Sequence, residues 1–232
     1  EFHPSYHALM DAAAQAGLHG SPWDPAAGEG AHLRRAAAFM LFTEAEPSIL
    51  CPISMTYAVL PALRGNPAVF EAWAPGLMAR AYDPGFKLYR HKRGLTMGMG
   101  MTEKQGGSDV RANTTVAVPD GDDAWGRRFR LTGHKWFMSA PMCDAFLILA
   151  QAPGGLTCFF LPRVLPGEGE GSVNTIRIQR LKDKLGNRSN ASSEVEYHGA
   201  IARMVGEAGR GQGHGGQDFF HAGVTKEDGI SA

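Results

Sequence analysis

The hydrophobic pattern of the chain changes near residue 94, and this change limits the possible folds more than any other feature of the sequence. Before it, apolar residues recur at helical spacing, whereas after residue 113 short β-branched and aromatic runs alternate with turns. Many short strands without an intervening helix are typical of an antiparallel sandwich or barrel. The sequence therefore predicts a multi-domain α+β protein, with a helical domain over residues 1–92, a β domain over residues 93–205 and a flexible, glycine-rich tail over residues 206–232.

Four helices are predicted in the first part of the chain, over residues 6–16, 32–46, 53–63 and 67–81. Gly17 is a suitable C-cap for the first helix, and Pro47 ends the second. Apolar residues share one face of the second helix, namely Leu33, Ala36, Ala37, Met40 and Leu41. The fourth helix has a similar stripe, formed by Val69, Phe70, Trp73, Leu77 and Met78. Burying a large apolar side chain is worth roughly 1.5–3 kcal/mol, so we expect such stripes to lie in a core rather than to line a ligand site.

The composition argues against several functions. The 232 residues carry no net charge and the pI is near 7.3, so no global basic field points to nucleic acid or to a membrane surface. The three cysteines, Cys51, Cys143 and Cys158, lack the spacing of a disulfide framework or of a metal site. No apolar run approaches the roughly 18 residues of a membrane span, and no signal peptide is visible. We therefore expect a cytoplasmic protein without a metal.

A glycine-rich stretch over residues 97–110 reads MGMGMTEKQGGSDV. Glycine lets backbone N–H groups approach a ligand, and Thr102 and Ser108 each add a hydroxyl. The alternative is a glycine-rich turn whose methionines pack in a core, since glycine is common in loops. The stretch lacks the Gly-Lys-Ser/Thr of a phosphate loop and the G-x-G-x-x-G of a dinucleotide fold.

A second stretch, LTGHKWFMS over residues 131–139, places an aromatic pair two to three residues before a hydroxyl. A flat redox cofactor needs a backbone cradle at one edge of its ring, an aromatic wall and a hydroxyl near its reactive nitrogen. The two stretches together would supply all three, so we expect them to meet at one site.

Three segments, MTEKQGGSDV, GHKWFMS and LKDKLGNRSNASSEVEY, resemble the acyl-CoA dehydrogenase flavoproteins, and their wording is most similar to the AidB-like branch. The resemblance implies FAD as cofactor and a β domain set between helical domains. It also implies an oxidoreductase that acts on the CH–CH group of an acyl-CoA thioester. The alternative that it leaves open is a DNA-protection flavoprotein of the alkylation response, with little dehydrogenase activity.

The resemblance also assigns cofactor-binding residues. The first stretch is implied to lie along the pyrimidine edge of the flavin, through Met99, Gly100, Met101, Thr102 and Ser108. The second is implied to supply an aromatic-x-hydroxyl triplet, formed by Phe137, Met138 and Ser139, with the aromatic ring on the flavin and the hydroxyl near N5. Many relatives have Trp and Thr where this chain has Phe and Ser, which favours the AidB-like branch.

In the family, the catalytic base belongs to a C-terminal helical domain, and the resemblance ends near residue 211. We therefore assign no catalytic residue and expect residues 212–232 to replace that domain, as in a truncated or frame-shifted chain. The resemblance implies that an intact parent forms a homotetramer and that DNA would bind through the missing domain. It leaves the acyl group and the electron acceptor undetermined.

Several polar residues near the two stretches have a structural interpretation as well as a functional one. We favour turn or N-cap roles for Glu103 and Asp109, and we expect Lys135 and Trp136 to face outward from the β domain. His134 is expected to be structural. The basic run from Arg177 to Arg188 is interrupted by acids and is expected to be a solvated face.

Overall fold

A computed structural model of the chain describes residues 2–167 and 171–210, so the predicted replacement tail after residue 211 lies outside the described residues. Four α-helices come first: α1 (Pro4–Gln15), α2 (Ala31–Ala45), α3 (Leu50–Leu63) and α4 (Pro67–Met78). They coincide with the four predicted helices to within about three residues at most ends. None of the described helices is both long enough and apolar enough to cross a membrane.

Within the described residues nine strands follow: β1 (Met97–Gly100), β2 (Val116–Asp123), β3 (Gly126–Ser139), β4 (Ala145–Ala152), β5 (Gly155–Pro162), β6 (Val164–Leu165), β7 (Ser172–Val173), β8 (Ile176–Leu181) and β9 (Ser192–Val205). Seven of them form one sheet, while β6 and β7 form a separate pair. The predicted α+β class is confirmed. The boundaries proposed at residues 92 and 205 stay a prediction.

The large sheet is mixed, which corrects the expectation of a purely antiparallel domain. The β2–β3 and β4–β5 hairpins are antiparallel, but β1 and β2 each run parallel to β4. A hydrophobic pattern reports which face of a strand is buried, not which neighbour it pairs with. The four residues of β1 therefore could not predict that this strand pairs in parallel with β4.

The predicted apolar stripe of α2 faces solvent, which corrects the expectation that it would be buried. Leu33, Met40 and Leu41 are 75%, 71% and 74% exposed. The helix packs through its other side instead, where Phe39 and Phe42 lie against the core shared with α1 and α3. Arg35 strengthens this packing, because its guanidinium lies 4.1 Å from the ring centre of Tyr57 and its Nε donates to Leu18 O.

The sheet carries a hydrophobic core on each face. One core lies between the sheet and helices α3 and α4, and Met97, Met99 and Trp73 belong to it. The other fills the concave side of the sheet around Phe146, Ile148 and other buried side chains. Asn66, the N-cap of α4, fixes the helices to the sheet, because its side-chain nitrogen donates to Trp125 O and Met204 O.

The alternating Met and Gly of β1 match these two faces. The methionines point toward the helices, whereas the glycines leave room for the concave core. A Cβ on Gly98 would lie 2.7 Å from the Phe146 ring, and one on Gly100 would lie 2.8 Å from Ile148 Cδ1. At this strand, therefore, glycine provides close packing inside the sheet rather than an approach to a ligand.

We predict that Gly98→Ala lowers the free energy of unfolding by about 1–3 kcal/mol, because the added methyl overpacks the closed concave core. Denaturant unfolding followed by tryptophan fluorescence measures this change. Gly186→Ala is the matched control, since its added Cβ meets nothing within 4 Å. If Gly98→Ala were as stable as the parent chain, Gly98 would not face a packed core.

Candidate functional site

The two motif segments lie side by side. Strands β1 and β3 pair antiparallel with Gly100 opposite Met138, and Trp136 N donates to Thr102 O at 2.8 Å. Counting from this pair puts Met99 opposite Ser139. Since directly opposite residues of an antiparallel pair point to the same face, their side chains share the face that looks toward the helices. The predicted meeting of the two stretches is thus present in the structure.

A β-bulge in β3 determines which side chains of the second motif point outward and which are buried. Lys135 pairs with Val195 of β9, but Met138 pairs with Ser193, so three steps on β3 match two on β9. The bulge turns both intervening aromatics outward and leaves Lys135 and Met138 inside. Phe137 is 42% exposed, whereas Lys135 and Met138 are 1% exposed. Strict alternation would have buried Phe137.

Lys135 does not face outward as expected; its ammonium is buried inside the sheet and pairs with Glu103 Oε1 at 2.7 Å. Burial alone would favour the neutral amine, and despite the carboxylate beside it the pKa of Lys135 is lowered to about 8. Trp136 lies on the outer surface as expected, with Lys182 Nζ 3.7 Å from its ring centre.

Glu103 has a structural role, in agreement with the prediction, but it works as a buried hub rather than a helix cap. Both its oxygens accept from the backbone N–H and hydroxyl groups of Thr114 and Thr115, at 2.6–3.1 Å, in addition to Lys135. Burial tends to raise the pKa of Glu103, but the bonds from Lys135 and the threonines outweigh it and hold the pKa at about 2. Asp109 does cap, since it accepts from Arg111 N at the start of a short 3₁₀-helix.

Thr102 offers two unused donors. Within the described part of the chain, neither its backbone N–H nor its hydroxyl has a hydrogen-bond partner. Gly107 keeps the hydroxyl accessible, because a Cβ at that position would lie 2.9 Å from Thr102 Oγ1. Ser108 follows at an exposed position, also without a bonded hydroxyl among the described residues. This loop is a donor-rich cradle of the kind that an electron-rich ring edge requires.

Ser139 belongs to a polar network that the sequence did not reveal. Its hydroxyl lies 3.0 Å from Ser192 Oγ, which in turn accepts from Lys184 Nζ at 3.1 Å. Cys51, in the first turn of α3, lies beside Ser139, and burial raises the pKa of its thiol. The segment LKDKLGNRSNASSEVEY carried the signal for Lys184 and Ser192, but only as a resemblance without assigned roles.

Two of the predicted contact residues present no side chain to this face. Gly100 faces Ile148 on the concave side, and the Met138 sulfur accepts from Tyr197 Oη at 3.4 Å in the same core. Only their backbone would reach a ligand on the helix side. On the helix-facing side lie Ser139 and the two methionines Met99 and Met101, which pack in the core next to the helices. Phe137 is exposed two residues before Ser139, and Thr102 and Ser108 lie in the loop beyond the end of β1.

Other titratable groups nearby are committed to the fold. His134 Nε2 accepts from Lys104 N at 3.3 Å, as its expected structural role requires. In the basic run, Arg180 and Lys182 both pair with Glu194, at 2.8 and 2.7 Å. Among the described residues no cluster of His, Cys, Asp or Glu is arranged to hold a metal ion. The hydrogen-bond donors that this region leaves unused among the described residues are those of Thr102 and Ser108.

Two sequence families match the chain. The N-terminal domain of the adaptive response protein AidB matches residues 1–84, and the middle domain of acyl-CoA dehydrogenases matches residues 98–200. The chain therefore belongs to the acyl-CoA dehydrogenase family, which confirms the resemblance found in its motifs.

Within this family the chain is similar to AidB of Escherichia coli K12, with 51% identity over 213 residues, which are 90% of this chain and 38% of AidB. ACDH-11 of Caenorhabditis elegans, solved in complex with C11-CoA, has a TM-score of 0.76 and 28% identity over 90% of this chain and 35% of its own. An acyl-CoA dehydrogenase of Bacillus anthracis complexed with FAD shares the fold, with a TM-score of 0.66 and 20% identity, over 89% of this chain and 33% of its own. The chain spans less than half the length of each.

We predict that Glu103 and Lys135 are energetically coupled. Glu103→Gln leaves the Lys135 ammonium buried without an ionic partner and is expected to cost about 3–5 kcal/mol. Lys135→Met should cost less, because Glu103 keeps four bonds from the two threonines. In denaturant unfolding the double variant should be at least about 1 kcal/mol more stable than the sum of the single effects implies. Additive losses would contradict the buried pair.

We also predict a specific acid sensitivity. Because the pKa of Glu103 is lowered from 4.5 to about 2, its contribution to stability is complete above about pH 4.5 and is lost as the pH falls toward 2. Between about pH 5 and about pH 3 the parent chain should therefore lose more stability than Glu103→Gln, and the two curves should converge. Parallel curves would show that Glu103 titrates normally.

Proposed function

We propose that the helix-facing side of β1 and β3, with the loop after β1, is one wall of an FAD site. The observation that carries this proposal is that two adjacent segments hold two unused Thr102 donors, the exposed Phe137 ring and the Ser139 hydroxyl. Apolar Met99 and Met101 lie beside them. Membership in the acyl-CoA dehydrogenase family and the FAD complex of the Bacillus anthracis relative support the same ligand.

Each group on this wall suits a part of the flavin. The N–H and hydroxyl of Thr102 would donate to the oxygen- and nitrogen-bearing edge of the ring, where negative charge collects on reduction. Phe137 would pack on the ring, and Ser139 would donate to its reactive nitrogen. Ser108 would reach the phosphate or an acyl-CoA. When bound, FAD supplies the capacity to accept a hydride, which no side chain can provide.

The proposed reaction is the α,β-dehydrogenation of an acyl-CoA thioester. The complex of ACDH-11 with C11-CoA supports a thioester substrate, and the family assignment supports the reaction class. We assign no described residue as the base that removes the α proton. Glu103, the most buried acid near the site, is unsuitable, because its low pKa and five bonds commit it to the fold.

The same family assignment motivates further proposals about partners and location. A homotetramer, a DNA contact and a cytoplasmic location remain proposals, and the first two would draw on parts of AidB beyond the 38% that this chain spans. A role in DNA protection gains no support from the basic run, where Arg180 and Lys182 are already paired with Glu194.

We predict that the chain binds FAD and that Thr102→Ala and Ser139→Ala each weaken binding by roughly five- to tenfold, since each removes about one net hydrogen bond. Quenching of flavin fluorescence during titration with protein gives the dissociation constant. Addition of a short acyl-CoA to the loaded chain without oxygen then tests for bleaching of the flavin band.

Thr132→Ala is the matched control, because Thr132 is an exposed hydroxyl on the same strand that forms no hydrogen bond within the described residues. Its affinity for FAD should equal that of the parent chain. Equal affinity in all three variants would remove Thr102 and Ser139 from the site. Bound flavin that no thioester reduces would contradict the proposed reaction of this chain while leaving the binding wall intact.

A further inference from the structure

We infer that Lys184 is a positioning residue that fixes the direction in which the Ser139 hydroxyl donates. The inference rests on the proposed function, in which Ser139 contacts the flavin. It adds a residue from the segment between β8 and β9, which no motif for cofactor binding had included.

A lysine ammonium has three donors and no acceptor. Lys184 Nζ lies 3.1 Å from Ser192 Oγ, so this contact has only one polarity: Lys184 donates and the Ser192 oxygen accepts. The Ser192 proton must then point elsewhere. The other described partner of the Ser192 hydroxyl is Ser139 Oγ at 3.0 Å, and either oxygen alone could be the donor there. With Lys184 in place, the favoured arrangement is donation from Ser192 to Ser139.

The direction of hydrogen-bond donation at Ser192 also determines the direction at Ser139. Once the Ser139 oxygen accepts from Ser192, its own proton is available for the helix-facing side, where Phe137 and Met99 lie. Bonds in such a chain polarise one another, so a charged donor at one end strengthens the donor at the other. Cys51 is the competing neighbour, but burial raises the pKa of its thiol, which therefore stays protonated and is only a weak acceptor.

The surrounding loop holds Lys184 in this position. Its ammonium also donates to Asn190 O at 2.5 Å, and its carbonyl accepts from Arg188 Nε at 2.8 Å. Lys182 N donates to Ser192 O, and Ala140 N donates to Ala191 O, so both ends of the relay are fixed to the backbone ladder. Ser192 is 3% exposed, and water is therefore a poor substitute for the lysine.

The test is FAD affinity of the 232-residue chain in a set of matched variants. Lys184→Met should weaken FAD binding by roughly fivefold, and Ser192→Ala should do the same by breaking the link at its centre. Lys184→Arg keeps a donor without an acceptor and should restore affinity to within about twofold of the parent chain. Thermal unfolding of each variant shows whether the fold is retained.

The decisive variant is Ser139→Ala combined with Lys184→Met. If Lys184 acts through Ser139, the double variant binds FAD no more weakly than Ser139→Ala alone. If Lys184→Met weakens binding by the same factor in both backgrounds, or has no effect in either, the inference is overturned. A parent chain that binds no FAD, or an ineffective Ser139→Ala, overturns the proposed function and this inference with it. An effective Ser139→Ala with an ineffective Lys184→Met overturns the inference alone.

Discussion

The buried ion pair between Glu103 and Lys135 is the interaction on which the arrangement of the site depends. Glu103 directly follows Thr102 in the first motif, and Lys135 directly precedes the β-bulge of the second. Two charges inside a sheet are costly unless they meet each other and their remaining bonding capacity is filled. Here the bonds from Thr114 and Thr115 complete the carboxylate, so the pair ties the loop after β1 to β3 in one register.

This register determines which side chains of the two motifs are exposed and which are buried. With Lys135 held inside, the bulge must place Trp136 and Phe137 outside and return Met138 to the concave core. The glycines of β1 allow that core to close against the strand, while its methionines line the opposite face. The proposed flavin wall therefore combines the methionine side chains of β1 with the unused donors of Thr102 in the loop that follows.

The fold class and the meeting of the two motifs could be predicted from the sequence. The hydrophobic period and the residues of each motif can both be recognised within a short stretch of the chain. The exposed stripe of α2 could not be predicted, since Leu33 and Met40 have the spacing of a core face and only the packing of Arg35 and Phe39 decides otherwise. The outward placement expected for Lys135 was wrong for a different reason: Lys135 continues the inward alternation of Phe129 and Leu131, and the Glu103 carboxylate that makes its burial possible lies more than thirty residues earlier in the chain. Lys184 and Ser192 act through contacts with Ser139 that lie far away in sequence, so no spacing rule identifies them.

Methyl NMR on the chain labelled at its methionine methyl groups, with and without FAD, tests directly on which side of the sheet FAD binds. Met101 and Met99 lie on the helix-facing side of the motif, and Met138 lies in the concave core on the other side of the same sheet. We predict large shift changes for the Met99 and Met101 methyl signals and little change for Met138. Equal changes at Met138, or none at Met99 and Met101 when FAD is bound, would contradict the proposed wall.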